Sequence, residues 1–350
     1  MTPTVALKLL VPLAFFGYAA VANISLVMTD TPLPGSDGVL RGAVTAEIDT
    51  LYRDNLPHKE PAIGIVGAVR YLALGEGRSG VVVGRDGHLF TAEEFRAPNP
   101  DTYAIALTQI EETAARLSAL DVDLVLAPLP AKADVLRDQL ATAGPSNQQE
   151  DLYRAFLGDL KDRGIAAVDT RPALVGHADP FLATDTHWTP DGARAVADHI
   201  ATSGTVAMGS DSFVIEQAAT RSITGDLVSY VTSDALARHV GLPPEAVVPY
   251  TATLASEDDG ALLDLFGDAG GGTDLVGTSY SANPDWSFAE ALKLALGRDV
   301  VNHAEEGRGP FAPMVAYLDR LDPAAPPETV LWELPVRYLT DPTLLPEVSP

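Results

Sequence analysis

Apolar positions along the chain follow two different periods, and their alternation predicts a repeating order of strands and helices. Short continuous apolar runs at 122–127 and 329–334 are typical of buried parallel strands, whereas residues 102–120 carry apolar side chains at helical spacing. Further helical patterns cover 149–163, 190–202, 288–296 and 314–321, and further strand patterns cover 165–168, 274–276 and 300–303. This order predicts one α/β domain whose mostly parallel sheet is covered by helices on both faces.

Three local features modify this picture. The run Val81-Val82-Val83 leads into Arg85-Asp86-Gly87, and apolar residues resume at 89–90, which predicts a hairpin. Pro128 and Pro130 follow the run 122–127 and predict the end of that strand. Residues 204–260 show weaker periodicity, and we interpret them as insertions into the α/β domain.

The N-terminal segment has a composition of its own. Residues 9–29 carry no charge, follow Lys8, and form a run long enough to cross a bilayer. Small residues at Ala20 and Ala22 resemble a cleavage site, so the run predicts either a cleaved signal peptide or a membrane anchor, with a buried helix as the third alternative. We divide the chain into this segment (1–29), a Pro/Gly-rich tether (30–45) and an enzyme domain (46–350), which both leading alternatives place outside the cytoplasm.

Composition and charge exclude several classes of protein. With 23 Lys+Arg against 48 Asp+Glu, the formal net charge is −25, which argues against binding to nucleic acid, because a phosphate backbone requires a surplus of basic side chains. The chain has 0 cysteines, which excludes disulfides, thiolate metal sites and a cysteine nucleophile. An acidic, thiol-free, exported protein fits a bacterial periplasm.

Two segments carry residues suited to acyl transfer. Residues 275–281 predict a strand that runs into a Gly-containing turn, where Ser279 would expose its hydroxyl at the carboxyl edge of the sheet. Asp185 lies two residues before His187, a spacing that lets its carboxylate orient the imidazole while the other ring nitrogen accepts a proton. Together these residues supply nucleophile, base and orienting acid. The structural alternatives are an ordinary turn, a capping aspartate and a hydrogen-bonded core histidine.

A metal-dependent enzyme is the least favoured class. The 7 histidines are scattered, and no helical His pair of the metalloprotease type occurs. We expect Asp185 and His187 to lack a third nearby ligand. We therefore predict neither a metal nor a cofactor.

Several motifs together resemble a known family, the SGNH-hydrolase-like alginate O-acetyltransferases of the AlgJ and AlgX kind. The resemblance lies in the motifs DTHWTPDG (185–192), VGTSYSANP (276–284), NHAEEGRGP (302–310) and LWELPVRY (331–338), with further similarity at 81–90 and 128–132. It implies an SGNH-type α/β/α sandwich with a permuted motif order and an N-terminal hydrophobic anchor. It also implies that Ser279, His187 and Asp185 are the catalytic residues.

Four further residues are candidates for substrate or oxyanion binding at the same site: Arg308, Tyr338, Tyr280 and Trp332. The resemblance implies that Arg308 and Tyr338 line the site, with Arg308 as a further oxyanion donor. The alternatives are that Arg308 is a surface charge paired with Glu305 or Glu306, and that Tyr338 and Trp332 are core aromatics.

Two departures limit the resemblance. His88 stands where the family usually has a tryptophan. The sequence ends shortly after Tyr338, so we expect no counterpart of the carbohydrate-binding module of AlgX and a closer likeness to AlgJ.

The resemblance implies a periplasmic O-acetyltransferase that moves acetyl through a Ser279 acetyl-enzyme onto an exopolysaccharide such as alginate. The acetyl donor would come from an integral membrane acyltransferase, and the N-terminal segment would attach the enzyme to the inner membrane. Two alternatives stay open: an acetylesterase that uses the same residues with water as acceptor, and a non-catalytic glycan-binding scaffold of the export machinery.

Overall fold

The computed structural model describes residues 3–28, 41–255 and 272–344. Three helices come first, followed by a two-stranded hairpin: α1 (Pro3–Val27), α2 (Ala43–Asn55), α3 (Lys59–Leu74), β1 (Val81–Val83) and β2 (Leu89–Thr91). The predicted hairpin is confirmed, because β1 and β2 pair in antiparallel register. Asp86 and Gly87 both have positive φ, as the tight turn between two such strands requires.

The rest of the described chain contains nine α-helices and nine strands. The helices are α4 (Pro100–Ser118), α5 (Lys132–Val135), α6 (Gly144–Asp162), α7 (Arg171–Leu174), α8 (Pro190–Ser203), α9 (Asp234–Ala237), α10 (Ser279–Ala282), α11 (Phe288–Leu296) and α12 (Phe311–Arg320). The strands are β3 (Asp123–Leu129), β4 (Ala166–Ala167), β5 (Phe213–Gln217), β6 (Arg221–Ile223), β7 (Glu245–Val247), β8 (Tyr250–Leu254), β9 (Thr273–Val276), β10 (Val300–Asn302) and β11 (Thr329–Pro335).

The central sheet has five strands in the order β10-β9-β11-β3-β4. All four pairings between neighbours are parallel. Strand β11 lies in the middle, where Leu331 is in register with Val125 on one side and with Leu275 on the other. The predicted parallel sheet is therefore confirmed, and its carboxyl edge brings together the chain segments that follow β3, β9 and β11.

Helices cover both faces of this sheet, as the alternation of core residues along β3 shows. Leu124 and Leu126 face a core that includes residues of α4, α6 and α12. Val125, Ala127 and Leu129 face a second core, which includes residues of α8 and α11. Because successive side chains of a strand point to opposite faces, one fully buried strand serves both cores. The predicted α/β/α sandwich is the observed architecture.

The predicted end of the strand at 127 is wrong, because β3 continues through Pro128 to Leu129. Proline has no N–H, and in a central strand it normally interrupts a ladder. Here the backbone of Leu126 faces β4, since its carbonyl accepts from Val168 N–H, and Pro128 faces the same side two residues later. Strand β4 has already ended there, so no ladder bond is lost, and the Pro128 carbonyl accepts a hydrogen bond from Thr170.

The weakly periodic region 204–260 is an excursion from the sheet, as far as it is described. It forms two antiparallel ribbons, β5 with β8 and β6 with β7. Between β6 and β7 lie a 3₁₀ turn at Asp226–Tyr230 and the short helix α9. Its strands are three to five residues long and their outer residues are largely exposed, which explains the weak sequence pattern.

The N-terminal predictions have a mixed outcome. Residues of the run 9–29 lie mostly in α1, but no helix in the described ranges has both the length and the apolar character that membrane crossing requires. Most of the predicted tether, 30–45, lies outside the described residues, and α2 already begins at Ala43.

Candidate active site

The nucleophile candidate Ser279 is the first residue of α10, directly after the turn that ends β9. Thr278 caps this helix, its hydroxyl accepting from the Tyr280 N–H. A Cβ at position 277 would lie 2.5 Å from a carboxylate oxygen of Glu333, so only glycine lets the turn pass this close to β11. The sequence prediction of a strand, a glycine turn and a serine at the sheet edge is confirmed.

Glu333 of β11 holds this turn in place, a role that the sequence does not predict. Its carboxylate accepts hydrogen bonds from the Thr278 N–H at 2.8 Å, from the Thr278 hydroxyl at 3.0 Å and from the Ser281 hydroxyl at 3.1 Å. Burial raises the pKa of Glu333 in spite of these three donors. A glutamate within an otherwise apolar strand was the only available signal.

His187 connects Ser279 to Asp185. Its Nε2 lies 2.7 Å from the Ser279 Oγ, and its Nδ1 lies 2.6 Å from the Asp185 Oδ1. A carboxylate can only accept, so Nδ1 carries the proton and Nε2 is free to accept from the serine hydroxyl. The structure thus brings together three side chains that sequence analysis placed in two segments 92 residues apart.

Asp185 is held so that its charge faces the imidazole. Its Oδ1 also accepts from the His187 N–H, and its Oδ2 accepts from the Asp226 N–H, both at 2.9 Å. Burial opposes ionisation of this carboxyl group, but the hydrogen bonds and the proximity of His187 outweigh it and lower the pKa of Asp185. Asp185 is therefore ionised at neutral pH and suited to stabilise an imidazolium.

A second carboxylate lies beside this pair. Ligand atoms of Asp185, His187 and Asp226 all lie within 4.8 Å of one another, so the expectation that no third ligand is near is wrong. Asp226 lies in the weakly periodic region, which is why no local pattern identified it. Burial and the charge of Asp185 both raise the pKa of Asp226.

The donor atoms of this group are already used in hydrogen bonds. Asp226 accepts from the N–H of Thr186 at 2.9 Å and from its hydroxyl at 2.6 Å. Both oxygens of Asp185 and the Nδ1 of His187 are engaged as described above. A cation at this position would compete with each of these bonds, so the geometry fits a hydrogen-bonded network around the histidine better than a metal site.

Aromatic side chains enclose the imidazole. The ring of Trp286 stacks on that of His187, with centroids 5.4 Å apart and an angle of 21° between the planes. The Tyr280 ring lies 4.8 Å from the same imidazole. Trp188 is buried behind them and donates from Nε1 to the Tyr280 carbonyl at 3.1 Å. His187 therefore has little freedom to turn away from Ser279.

Tyr280, a candidate for substrate or oxyanion binding, has a buried side chain of which 2% is exposed. Its hydroxyl donates to the Thr186 carbonyl at 2.6 Å and accepts from the guanidinium of Arg337 at 2.7 Å. The buried Arg337 also donates to the hydroxyl of Tyr338 at 2.8 Å. Tyr280 and Tyr338 thus belong to a hydrogen-bond network that reaches the neighbour of His187.

Trp332 and Arg308 lie apart from the three central residues. Trp332 is fully buried in the core that faces α4, α6 and α12, and its Nε1 donates to the Pro310 carbonyl, so the prediction that it contacts substrate is wrong. Strand alternation explains this, because its neighbour Glu333 points to the opposite face. Arg308 is about half exposed and pairs with Glu305 at 2.5 Å, and none of its described contacts reaches Ser279 or His187.

A cleft of about 480 Å³ opens beside the segment that follows the nucleophile. Residues from α10 and its C-terminal side, from β6 and β8, and from α11 line it, including Arg221, Tyr250, Ser281, Asn283 and Lys293. Two basic side chains, Arg221 and Lys293, line the cleft together with three acidic ones, Asp285, Glu290 and Asp299. The cleft is large enough for a sugar residue.

Fold and site together define the class of protein. A serine that begins a helix at the carboxyl edge of a parallel sheet, bonded to a histidine that an aspartate orients, is the arrangement of an SGNH-hydrolase-like serine enzyme. The chain belongs to the family described as SGNH hydrolase-like domain, acetyltransferase AlgX, which matches residues 81–336. The predicted family and enzyme class are thereby confirmed.

Individual relatives agree with this membership. The chain is 36% identical to the "Probable alginate O-acetylase AlgJ" of Azotobacter vinelandii, over 86% of this chain and 80% of the relative. The solved O-acetyltransferase domain of Pseudomonas putida AlgJ is 34% identical and superposes with a TM-score of 0.64, covering 75% of this chain and 93% of that domain. The solved Pseudomonas aeruginosa AlgX has the same fold at 23% identity, with a TM-score of 0.60 over 75% of this chain and 67% of AlgX.

Proposed function

We propose that this chain transfers acetyl groups through a Ser279 acetyl-enzyme onto hydroxyl groups of an exopolysaccharide, and that this polymer is alginate. The observation that carries the proposal is the position of His187, with Nε2 2.7 Å from the Ser279 Oγ and Nδ1 2.6 Å from Asp185. The names of the AlgJ relatives supply the polymer.

In the first step, the acetyl group moves from donor to enzyme. His187 Nε2 takes the proton of the Ser279 hydroxyl while Oγ bonds to the acetyl carbonyl carbon of the donor ester. The ionised Asp185 stabilises the imidazolium that forms. When the tetrahedral intermediate collapses, the bond to the donor oxygen breaks and that oxygen takes the proton from His187. The products are the acetyl-enzyme and the free donor alcohol.

In the second step, a sugar hydroxyl replaces the serine. His187 takes the sugar proton while the sugar oxygen bonds to the acetyl carbon, and the bond to Ser279 then breaks with return of the proton to Oγ. In both steps the negative oxygen of the intermediate accepts from the Ser279 N–H. As the first N–H of α10, this group has no acceptor within the helix.

The cleft beside Ser281 and Asn283 holds the acceptor polymer. Alginate is a polyuronate, so each sugar carries a carboxylate. Arg221 and Lys293 supply positive charge there, although each is already paired with acidic side chains, Arg221 with Asp285 and Lys293 with Glu290 and Asp299. A uronate carboxylate in this cleft would have to compete with these acidic side chains for the two basic ones.

The reaction takes place in the periplasm, with residues 9–29 as the export signal or inner-membrane attachment and an integral membrane acyltransferase as the source of acetyl. The uncharged run after Lys8 supports this location. Fractionation of cells that express the chain, with mass spectrometry of its N-terminus, tests both points. Recovery in the cytoplasm with an intact N-terminus would contradict them.

Purified protein with para-nitrophenyl acetate and an alginate oligosaccharide tests the chemistry. We expect acetylated oligosaccharide by mass spectrometry from the wild type and a loss of at least about a thousandfold in Ser279→Ala. The matched control is Ser118→Ala, an exposed serine at the end of α4, which should retain full activity. Ester hydrolysis that oligosaccharide leaves unchanged, with no acetylated sugar, would instead identify an acetylesterase. Normal acetylation of polymer in cells that carry Ser279→Ala would identify a scaffold.

A further inference from the structure

Lys132 is a buried cation that the proposed chemistry does not use. It is the first residue of α5, three residues after the end of β3 at Leu129, within the motif at 128–132, and is 1% exposed. Its Nζ lies within hydrogen-bond distance of four backbone carbonyl oxygens: those of Leu89 (2.8 Å), Leu182 (2.6 Å), Ala183 (2.9 Å) and Asp185 (2.8 Å). An ammonium group has three protons, so these oxygens take up its whole donor capacity.

Such a lysine is costly for the fold. Burial of an ammonium without a directly bonded carboxylate disfavours the charged form, and burial lowers the pKa of Lys132 to about 8. The nearby charges of Glu94, Asp185, Glu245 and Asp226 act in the opposite direction. An apolar side chain of equal length would fill the same space but would take the ammonium donor away from these four carbonyl oxygens, so the ammonium has a task besides packing.

The contacts of Lys132 are concentrated on the loop that precedes His187. Three of the four carbonyls belong to residues 182–185. The other side of this loop is held by carboxylates. Glu245 accepts from the N–H groups of Ala183 and Thr184, and Asp226 accepts from that of Thr186. The loop therefore lies between one buried cation, which binds its carbonyls, and two carboxylates, which bind its N–H groups.

The fixed position of this loop matters for the chemistry at Asp185. Its carbonyl is bound to Lys132, while its carboxylate is bound to the ring and N–H of His187. Fixing the backbone at Asp185 fixes the point from which the carboxylate reaches the imidazole. Leu89 connects the β1–β2 hairpin to the same loop, because its carbonyl accepts from Lys132 and its N–H donates to the Ala183 carbonyl.

We propose that Lys132 is a positioning residue for acyl transfer, whose ammonium holds the Asp185 backbone so that the carboxylate orients His187 toward Ser279. This inference rests on the proposed function only in its use of Ser279 as nucleophile. It does not depend on which acceptor takes the acetyl group. The rate of para-nitrophenyl acetate turnover therefore measures it without a polysaccharide.

The first test replaces the ammonium by an apolar group in the full chain. We expect Lys132→Met to lower kcat about 30- to 100-fold with KM within twofold, because a displacement near 1 Å at a catalytic group costs about a hundredfold. The number of serines that a sulfonyl fluoride can titrate should equal that of the wild type, which corrects for misfolded protein. Lys161→Met, at an exposed lysine of α6, is the matched control and should leave kcat unchanged.

The second test restores the charge chemically. The chain has 0 cysteines, so Lys132→Cys introduces its single thiol. In urea, the thiolate displaces bromide from bromoethylamine, forming a C–S bond and a side chain with the length and charge of lysine. Bromopropane gives a neutral side chain of the same length. Both adducts are then refolded, with wild type carried through the same procedure.

We expect the aminoethyl adduct to recover at least half of the wild-type kcat and the propyl adduct to remain as slow as Lys132→Met. Equal rates for the two folded adducts, or a folded Lys132→Met within threefold of wild type, would overturn the proposal. Failure of both neutral forms to fold would also overturn it, because Lys132 would then hold the fold and not the site. If the wild type showed no turnover that depends on Ser279, this would contradict the proposed function and not the role of Lys132.

Discussion

The indole of Trp286 stacks on the imidazole of His187, with ring centroids 5.4 Å apart and an interplanar angle of 21°. Trp286 ends the 3₁₀ turn Pro284–Trp286, which follows α10. Ser279 and the ring that stacks on His187 therefore lie on consecutive short elements. An aromatic face is electron-rich and stabilises a cation placed over it. The contact therefore favours the imidazolium that forms when Ser279 loses its proton.

Loss of this stacked ring should slow turnover. We expect Trp286→Leu to lower kcat about three- to tenfold, which corresponds to the roughly 0.5–1.5 kcal/mol of an aromatic pair. Trp286→Phe keeps an aromatic face, so its activation free energy should increase by less than half as much as that of Trp286→Leu. Steady-state kinetics with para-nitrophenyl acetate measures both variants. Equal rates in the Leu and Phe variants would show that the ring acts only as packing volume.

Asp226 should support catalysis at the expense of stability. Its carboxylate lies within 4.8 Å of the nitrogen of His187, a separation at which unit charges interact by about 1–3 kcal/mol. We expect Asp226→Asn to lower kcat about tenfold. The raised pKa of Asp226 means that its charged form is disfavoured in the fold, so the same substitution should increase Tm.

The matched control for Asp226→Asn is Asp234→Asn. It removes an equal charge from an exposed position of α9 and should change neither kcat nor Tm measurably. Thermal unfolding and ester kinetics on the same preparations provide both quantities. An Asp226→Asn variant that is both slower and less stable would mean that its hydrogen bonds to Thr186 matter more than its charge.

Glu333 should give stability a pH dependence opposite to that of most carboxylates. Burial raises the pKa of Glu333 above its ordinary value of 4.5, so the folded state binds this proton more tightly than the unfolded chain. The stability that protonated Glu333 contributes is fully present below the ordinary pKa. It is lost as the pH rises through the raised pKa of the folded state. Glu333→Gln lacks this titration.

Urea unfolding of wild type and Glu333→Gln between about pH 4 and pH 8 isolates this effect. We expect the free energy of unfolding of wild type minus that of the variant to decrease as pH rises, and then to level off. The subtraction removes the contributions of groups with lowered pKa, such as Asp185, Glu150 and Asp341, because both proteins contain them. A difference that increases with pH would mean that the carboxylate is stabilised as an anion.

The parts of the site that sequence could predict are those that local pattern determines. Ser279 follows a buried strand and a glycine, and Asp185 and His187 share one short loop, so each has a recognisable neighbourhood. The parallel sheet follows from continuous apolar runs in the same way. A motif made of neighbouring residues can be recognised in the sequence, however far its residues lie from the other residues of the site.

The supporting residues could not be predicted because their roles depend on contacts between distant segments. Asp226 reaches Thr186 across 40 residues, and Lys132 reaches the Asp185 carbonyl across 53. Glu333 holds Thr278 from another strand, a contact that exists only once β9 and β11 are paired. In the sequence, each is a single charged residue in an ordinary setting, and only the fold shows what it binds.

The alternation of β11 leads to a further prediction, which separates Trp332 from its neighbour Glu333. Trp332 packs edge-to-face against Phe311, with centroids 5.8 Å apart, in the core beneath α12. We expect Trp332→Leu to destabilise the fold by about 2–4 kcal/mol, because it leaves a cavity and removes the Nε1 donor from the Pro310 carbonyl. Its kcat per titratable serine should remain within twofold of wild type. Urea unfolding and sulfonyl fluoride titration measure the two effects.

Arg308→Ala is the surface counterpart of that experiment. An exposed ion pair such as Arg308 with Glu305 contributes about 0–1 kcal/mol, so the free energy of unfolding and the rate of acetyl transfer should both stay close to wild type. A large fall in kcat without loss of stability in Arg308→Ala would return this arginine to the site that the resemblance implies. A large fall in kcat without loss of stability in Trp332→Leu would mean that packing on the Trp332 face of β11 affects the position of the turn that Glu333 holds.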